Sequence, residues 1–335
     1  MSITVLRPGL LTTVQDLGRY GYQKYGVIVS GAMDAYSLRV ANLLVGNAEG
    51  EAGLEITLMG PVLRFERDML VAITGGDLSP TIAGKPVPLW RPVYIQKGSI
   101  LKFGHSKSGC RAYLAVAGGY NISSVMGSKS TYQRAGIGGF KGRAMQADDV
   151  LEINSPQTDS LWFIWQLTKQ AACSPVIATP WYAGKVHLGL DSDPVAVRVM
   201  RGGQFEQFTD ESKAKFWDSV FQVTPQSDRM GYRLSGSALL LAEPLEMVSE
   251  AVALGTIQVP PDGNPIVLLA DRQTTGGYPK MGQVALVDVA KVAQIKPGGK
   301  IRFEEITVNE AARLYREREK AIDSLRTAIG LKLRS

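Results

Sequence analysis

Val267 to Lys280, VLLADRQTTGGYPK, sets an acid, a guanidinium, an amide and two hydroxyls between an apolar run and a glycine pair. The branched and aliphatic residues from Ile266 to Leu269 suit a strand buried on both faces. Such a strand delivers Asp271, Arg272, Gln273, Thr274 and Thr275 to its end, where Gly276 and Gly277 let the backbone turn or approach a ligand closely. The plain alternative is solvated turn chemistry at a strand end. Arginine suits a carboxylate or phosphate because its planar fork donates two parallel charge-assisted hydrogen bonds. Arg272, with Arg229 and Arg233 of the stretch SDRMGYRLSG, is therefore the candidate anion clamp. Asp228 and Asp271 either orient those guanidiniums or supply a base for water. Gln258 and Gln273 can satisfy an amide group, and the N–H groups of Gly276 and Gly277 can face a developing oxyanion. Asp228, Asp271 and Arg272 are the catalytic candidates, and Tyr232 joins the substrate-binding set.

A second polar cluster, QDLGRYGY, adds Gln15, Asp16 and Arg19 to the substrate-binding candidates, with Gly18 and Gly21 as turn residues. The interval SKSTYQRAGIGGFKGR fails both phosphate-loop templates: Gly127-Ser-Lys-Ser130 lacks the Gly-Lys-Ser/Thr order, and Gly136, Gly138 and Gly142 miss GxGxxG by one residue. It reads as a Gly-rich loop that offers Arg134 and Arg143 to an anion, or as a mobile surface loop. His105 and His187 stand outside these clusters, and Cys110 and Cys173 have neither CxxC spacing nor a nearby histidine. Covalent catalysis, a disulfide framework and a metal site are accordingly not expected.

The elements that must position these groups are mostly strands. At 335 residues two domains are the default, and 36 Gly with 17 Pro imply short elements and many turns. Apolar runs separated by turns follow from Gly53 to Phe103: LEITL, VLRF, MLVAI, VYI and ILKF, with further strands at Ala112–Val116 and Val150–Ile153. Asp34 is placed to cap a helix through Ala35, Leu38, Ala41 and Leu44, ended by Gly46 and Asn47. Thr307-Val-Asn-Glu310 is a capping box opening a C-terminal helix whose apolar face packs on the second domain or on a partner. The second half repeats the first in order. Val199–Gly203 parallels Val5–Gly9, Ser227–Tyr232 parallels Gln15–Tyr22, Gly255–Gly277 parallels Gly53–Gly76, and Ile295–Phe303 parallels Ile95–Phe103. The expected division is 1–155, a linker over 156–195, 196–306, and a helix over 307–335.

The net charge is +6, but the last 26 residues hold seven Lys/Arg against four Asp/Glu, so half of the excess is C-terminal. The remainder is scattered without a basic stripe interleaved with aromatics, which argues against nucleic acid. No run reaches the roughly 18 apolar residues of a membrane span and the N-terminus lacks a signal-peptide pattern, so a cytoplasmic protein is expected.

TVQDLGRYGYQKYGVIVSGAMD, STYQRAGIGGFKGRAMQADDVL, SDRMGYRLSG and SEAVALGTIQVPPDGNPIVLLADRQTTGGYPK together resemble the family of the 5-oxoprolinase C subunit, also called the KipA, biotin-dependent carboxyltransferase or allophanate hydrolase subunit 2 family. The likeness covers about residues 3 to 305. It implies a mainly β fold of two tandem cyclophilin-like β-barrels with a few helices. It implies partners, the KipI-like B subunit together with the A subunit of 5-oxoprolinase. The activity implied is ATP-dependent opening of 5-oxo-L-proline to L-glutamate, with the chain inactive alone. Two other roles come with the family: antagonism of a KipI-type inhibitor of a histidine kinase, and transfer of the carboxyl group of carboxybiotin to a urea-like acceptor. ATP is the cofactor implied. The chain shows no nucleotide motif, so the nucleotide is expected elsewhere in the assembly or across an interface.

Overall fold

A computed structural model describes residues 1–169, 175–184, 190 and 192–334. Cys173 and His187 lie outside the described residues. The chain is mainly β and divides into two compact units, Met1–Arg19 with Ser30–Val186 and Lys320–Ser335, and Tyr20–Val29 with His187–Glu319.

The first unit holds β1 (Ser2–Arg7), β2 (Leu11–Gln15), β3 (Gly53–Thr57), β4 (Val62–Phe65), β5 (Met69–Asp77), β6 (Thr81–Ile82), β7 (Lys85–Pro86), β8 (Pro92–Ile95), β9 (Ile100–Lys102), β10 (Ser108–Val116), β11 (Val150–Glu152) and β12 (Val176–Ala178). They form two six-stranded sheets, β11-β1-β4-β9-β6-β7 and β12-β8-β5-β10-β3-β2. One face of each is apolar at alternate positions, and these residues meet in a shared core: Ile3, Val5, Leu63 and Phe65 from one sheet, Val14, Leu54, Ile73 and Leu114 from the other. The opposite face of the second sheet carries Leu70, Ala72, Tyr94 and Ala115, and helices cover it. These are α1 (Ala35–Leu44) and α2 (Thr158–Lys169), with the end of α5 (Val308–Arg334). Asp34 caps α1 as expected, accepting from Ser37 N–H at 3.0 Å.

Two expectations change here. The stretch 156–195, read as linker, contributes α2 to this core and β12 to the sheet edge, where Val176 pairs with Ile95. The C-terminal helix opens with the expected box, Thr307 and Glu310 bonding reciprocally. Its apolar stripe, however, packs on the first unit: Ile322, Ile329 and Leu333 recur at helical spacing and are buried with Leu43, Leu44 and Phe163. Each such side chain contributes roughly 1.5–3 kcal/mol.

The second unit closes as a barrel of β13 (Val195–Arg201), β20 (Lys280–Val284), β17 (Thr256–Gln258), β18 (Ile266–Leu268), β15 (Gly231–Ser235), β14 (Val220–Val223) and β21 (Lys300–Glu305). Phe221 and Phe216 of α3 (Asp210–Asp218) flank Phe303 at 5.5 and 4.8 Å inside it. β16 (Glu250–Ala251) and β19 (Thr275–Gly276) form a separate two-stranded ribbon. α4 (Leu286–Gln294) places fully buried Asp288 against Arg198, which donates from Nε at 2.9 Å and Nη2 at 2.6 Å. The sequence repeat is only partly a structural one. Val5-Leu-Arg7 and Val199-Met-Arg201 both end strands, β1 and β13. The copies at 95–103 and 295–303 pair differently, since β9 lies antiparallel to β4 and β6 whereas β21 runs parallel to β13.

Candidate functional site

The pleat of β15 and β18 sorts the candidates of the second unit. Tyr232, Val267 and Ile257 stand in one cross-strand row, all buried in the barrel. Tyr232 is thus a core residue, 2% exposed with its hydroxyl turned towards the Ala293 carbonyl. The next row, Arg233, Ile266, Gln258 and Lys280, faces the outside of the barrel.

Past the strand ends the pairing continues into a rim, where Leu269 and Asp271 N–H groups donate to the Met230 and Arg229 carbonyls. This sets Arg229 and Asp271 side by side. Arg229 donates from Nε at 2.9 Å and Nη2 at 3.0 Å to the two carboxylate oxygens, and both residues are buried. Of the two roles left open for Asp271, the geometry displays orientation of a guanidinium. Asp228 organises the turn into β15, its Oδ1 accepting from Met230 N–H at 2.8 Å and Gly231 N–H at 3.3 Å.

Arg272 is different. It is half-buried, its bonds are two long ones to the Val252 and Leu269 carbonyls at 3.5 and 3.3 Å, and no carboxylate pairs with it among the described residues. Burial pushes its pKa below the usual guanidinium range, opposed by the field of Tyr20. A guanidinium stays protonated all the same, so the shift marks a desolvated charge lacking its counter-ion.

The ribbon lies against this residue. Val252 N–H donates to the Thr274 carbonyl at 3.2 Å, Thr275 stands opposite Ala251, and Lys280 Nζ reaches Glu250 at 2.7 Å. Gln273 is half-buried beside Arg272, while Thr275 and Gly277 are exposed. Gly276 is buried against the Gln258 amide, so close that a Cβ there would lie 2.6 Å from Nε2. The Gln258 amide itself donates to the Tyr278 carbonyl at 3.2 Å. Arg272, Gln273, Gln258 and the glycine pair thus belong to one neighbourhood on the second barrel.

In the first unit the candidates hold a loop. Asp16 accepts from Gly18 N–H at 2.8 Å, Ser128 Oγ at 2.7 Å, Lys129 N–H at 2.6 Å and Ser130 Oγ. Buried Arg19 donates to the Val125 and Ser130 carbonyls at 3.0 and 2.9 Å, and Gln15 donates to Thr13 Oγ1 and the Thr131 carbonyl. These three staple residues 128–131 to the end of β2. The Gly-rich loop likewise folds on itself, with Gly139 N–H bonded to the Lys129 carbonyl and Gly142 N–H to that of Gly138. Arg143 forms a bidentate pair with Asp149 at 2.7 and 2.8 Å, which holds that carboxyl below its usual range. Arg134 stays exposed on the turn Gln133–Ala135.

A buried polar row escaped the sequence reading. Thr13, Glu55, Tyr113 and Thr74 lie side by side across β2, β3, β10 and β5. Tyr113 Oη donates to Glu55 at 2.8 Å and accepts from Asp34 N–H at 2.8 Å, while Arg111 approaches Glu55 at 3.8 Å. Burial, then the charges of Glu55 and Asp34, push the Tyr113 phenol well above its usual range. The available signal was single polar residues at alternate positions inside otherwise apolar strands, LEI and RAY. Among the described residues no group of three or more His, Cys, Asp or Glu side chains is placed to hold a metal, and no helix is long and apolar enough to cross a membrane.

The carboxyltransferase domain family, subdomain A and B, matches residues 25–305. The chain belongs to that family. It is 36% identical over 317 residues to the 5-oxoprolinase C subunit of Haemophilus influenzae, covering 95% of each chain, and 35% identical over 323 residues to that of Escherichia coli, covering 96% of this chain and 97% of the other. The urea carboxylase of Kluyveromyces lactis is a structural neighbour with a TM-score of 0.82 and 31% identity over 96% of this chain. This carboxyltransferase-family chain spans 29% of that longer protein.

Proposed function

We propose that this chain is the C subunit of an ATP-dependent 5-oxoprolinase, working with the A and B subunits, and that Arg272 receives the carboxylate of 5-oxo-L-proline. Near full-length likeness to two proteins of that name supports the assignment. The observation that carries the site is the desolvated Arg272 guanidinium, which has no counter-ion among the described residues, beside an amide and a glycine pair. A lactam is a poor electrophile. ATP therefore phosphorylates the lactam oxygen, water adds to the activated carbon, the carbon–nitrogen bond breaks and phosphate leaves, giving L-glutamate, ADP and phosphate. The nucleotide sits elsewhere in the assembly or at an interface, so the chain alone is inactive. A second reading, carboxyl transfer from carboxybiotin, draws support from the likeness to urea carboxylase over 96% of the chain.

The test is glutamate formation from 5-oxo-L-proline and ATP by the three subunits mixed, with wild-type chain and with Arg272→Gln. Turnover only in the mixture, lowered roughly 10- to 100-fold by Arg272→Gln, is expected from loss of a charge-assisted contact. No turnover in the wild-type mixture overturns the assignment. Full turnover by Arg272→Gln overturns the role of Arg272.

A further inference from the structure

The outer face of the barrel also carries a cleft of about 440 Å³, within the range of small-molecule sites, which adjoins the Arg272 neighbourhood at Tyr278. Its floor is the outward row of the sheet. Val223 pairs with Leu234 and Thr224 N–H donates to the Arg233 carbonyl, so Thr224, Arg233 and Ile266 lie side by side across three strands. The turn bearing Asp262 and Asn264 walls one side, and Tyr278 also lines the space. Three groups here are unsatisfied among the described residues. The exposed Arg233 guanidinium has no ion pair or hydrogen bond. The Asp262 carboxylate accepts only from Asn264 N–H, at 3.1 Å, and has no cation. The Thr224 hydroxyl is buried without a partner. The opposite charges of Arg233 and Asp262 line one cleft and do not pair with each other, so each is open to a group of a ligand.

We propose that this cleft binds a free α-amino acid. Its carboxylate bonds to Arg233, its ammonium to Asp262, and its side chain lies against Ile266 and Tyr278 within reach of Thr224 and Asn264. A lactam such as 5-oxo-L-proline lacks the ammonium and is a poor ligand here, and neither Arg272 nor Gln273 lines the cleft, so this proposal stands independently of the reaction proposed above.

The test is calorimetric titration of the full chain with a panel of free L-amino acids that includes L-glutamate, followed by N-acetylation of the tightest binder. Binding by at least one amino acid is expected, weakened about tenfold or more by N-acetylation, by Asp262→Asn and by Arg233→Gln. Both residues are exposed, so these variants keep the fold, which circular dichroism checks. No binding by any amino acid at millimolar concentration overturns the proposal. So does binding that survives N-acetylation or both substitutions.

Discussion

Replacing Asp271 with Ala should destabilise the second barrel far more than removing the whole ion pair. Arg229 and Asp271 side chains are 7% and 11% exposed and bond through two parallel contacts of 2.9 and 3.0 Å. Truncating the carboxylate strands a buried guanidinium, a change that costs about 3–5 kcal/mol. Replacing both partners, Arg229→Met with Asp271→Leu, removes the stranded charge and keeps apolar volume, so at least half of the loss should return. Hydrogen exchange in peptides covering 231–235 and 266–271 reads this locally, since those strands flank the pair. Asp271→Ala should exchange about 10²- to 4 × 10³-fold faster there than wild type. An acceleration below about fivefold would refute the reasoning, as would a double variant as labile as the single one. The same double variant separates roles for Asp271: restored protection without restored turnover identifies it, or Arg229, as more than a structural partner.

Two further outcomes follow from other charges and packing. Burial pushes the Asp288 pKa up, but the Arg198 side-chain and backbone bonds and Lys291 outweigh it and hold the carboxyl below its usual range. The stability this lends is complete above the unfolded value near about 3.9 and is lost as pH falls through the folded one. Asp288→Asn should therefore lower the thermal midpoint at pH 7 while flattening its fall below about pH 4, and an unchanged acid limb would contradict the pairing. Ile329→Ala removes a buried side chain from the α5 contact with the first unit and should cost about 2–5 kcal/mol, visible as faster exchange in α1 peptides. Loss confined to α5 itself would show that the helix end does not support that core.

Local signals announced most of the elements. Runs such as MLVAI and VLRF became β5 and β4, and the Asp34 and Thr307 caps opened helices where their side chains reach the first free N–H groups. Partners distant in sequence were harder. Nothing near Asp16 indicates that Ser128, Lys129 and Ser130 fill its carboxylate, and nothing near Arg143 singles out Asp149 over its neighbour Asp148. Grouping Arg229, Tyr232 and Arg233 by proximity in the chain also failed, because the pleat sends Tyr232 inward and Arg233 outward while Arg229 stays at the rim. The α5 stripe announced burial but carried no address.

The contrast between Arg229 and Arg272 has a physical cause. Arg229 pairs with Asp271, and Arg272, the next residue along the chain, pairs with no carboxylate among the described residues. Arg229 is 7% exposed, and leaving it unpaired would incur the larger desolvation penalty. Arg272 is only half-buried, and two carbonyls partly solvate it, so it tolerates being left over. Lys280 adds no surplus because Glu250 neutralises it. Arg272 is therefore the guanidinium here whose fork no carboxylate occupies among the described residues. The substrate carboxylate proposed to enter beside Gln258 and Gly276 would then meet an arginine fork that no protein acid already occupies, the condition under which an arginine binds a small carboxylate rather than merely stapling a loop.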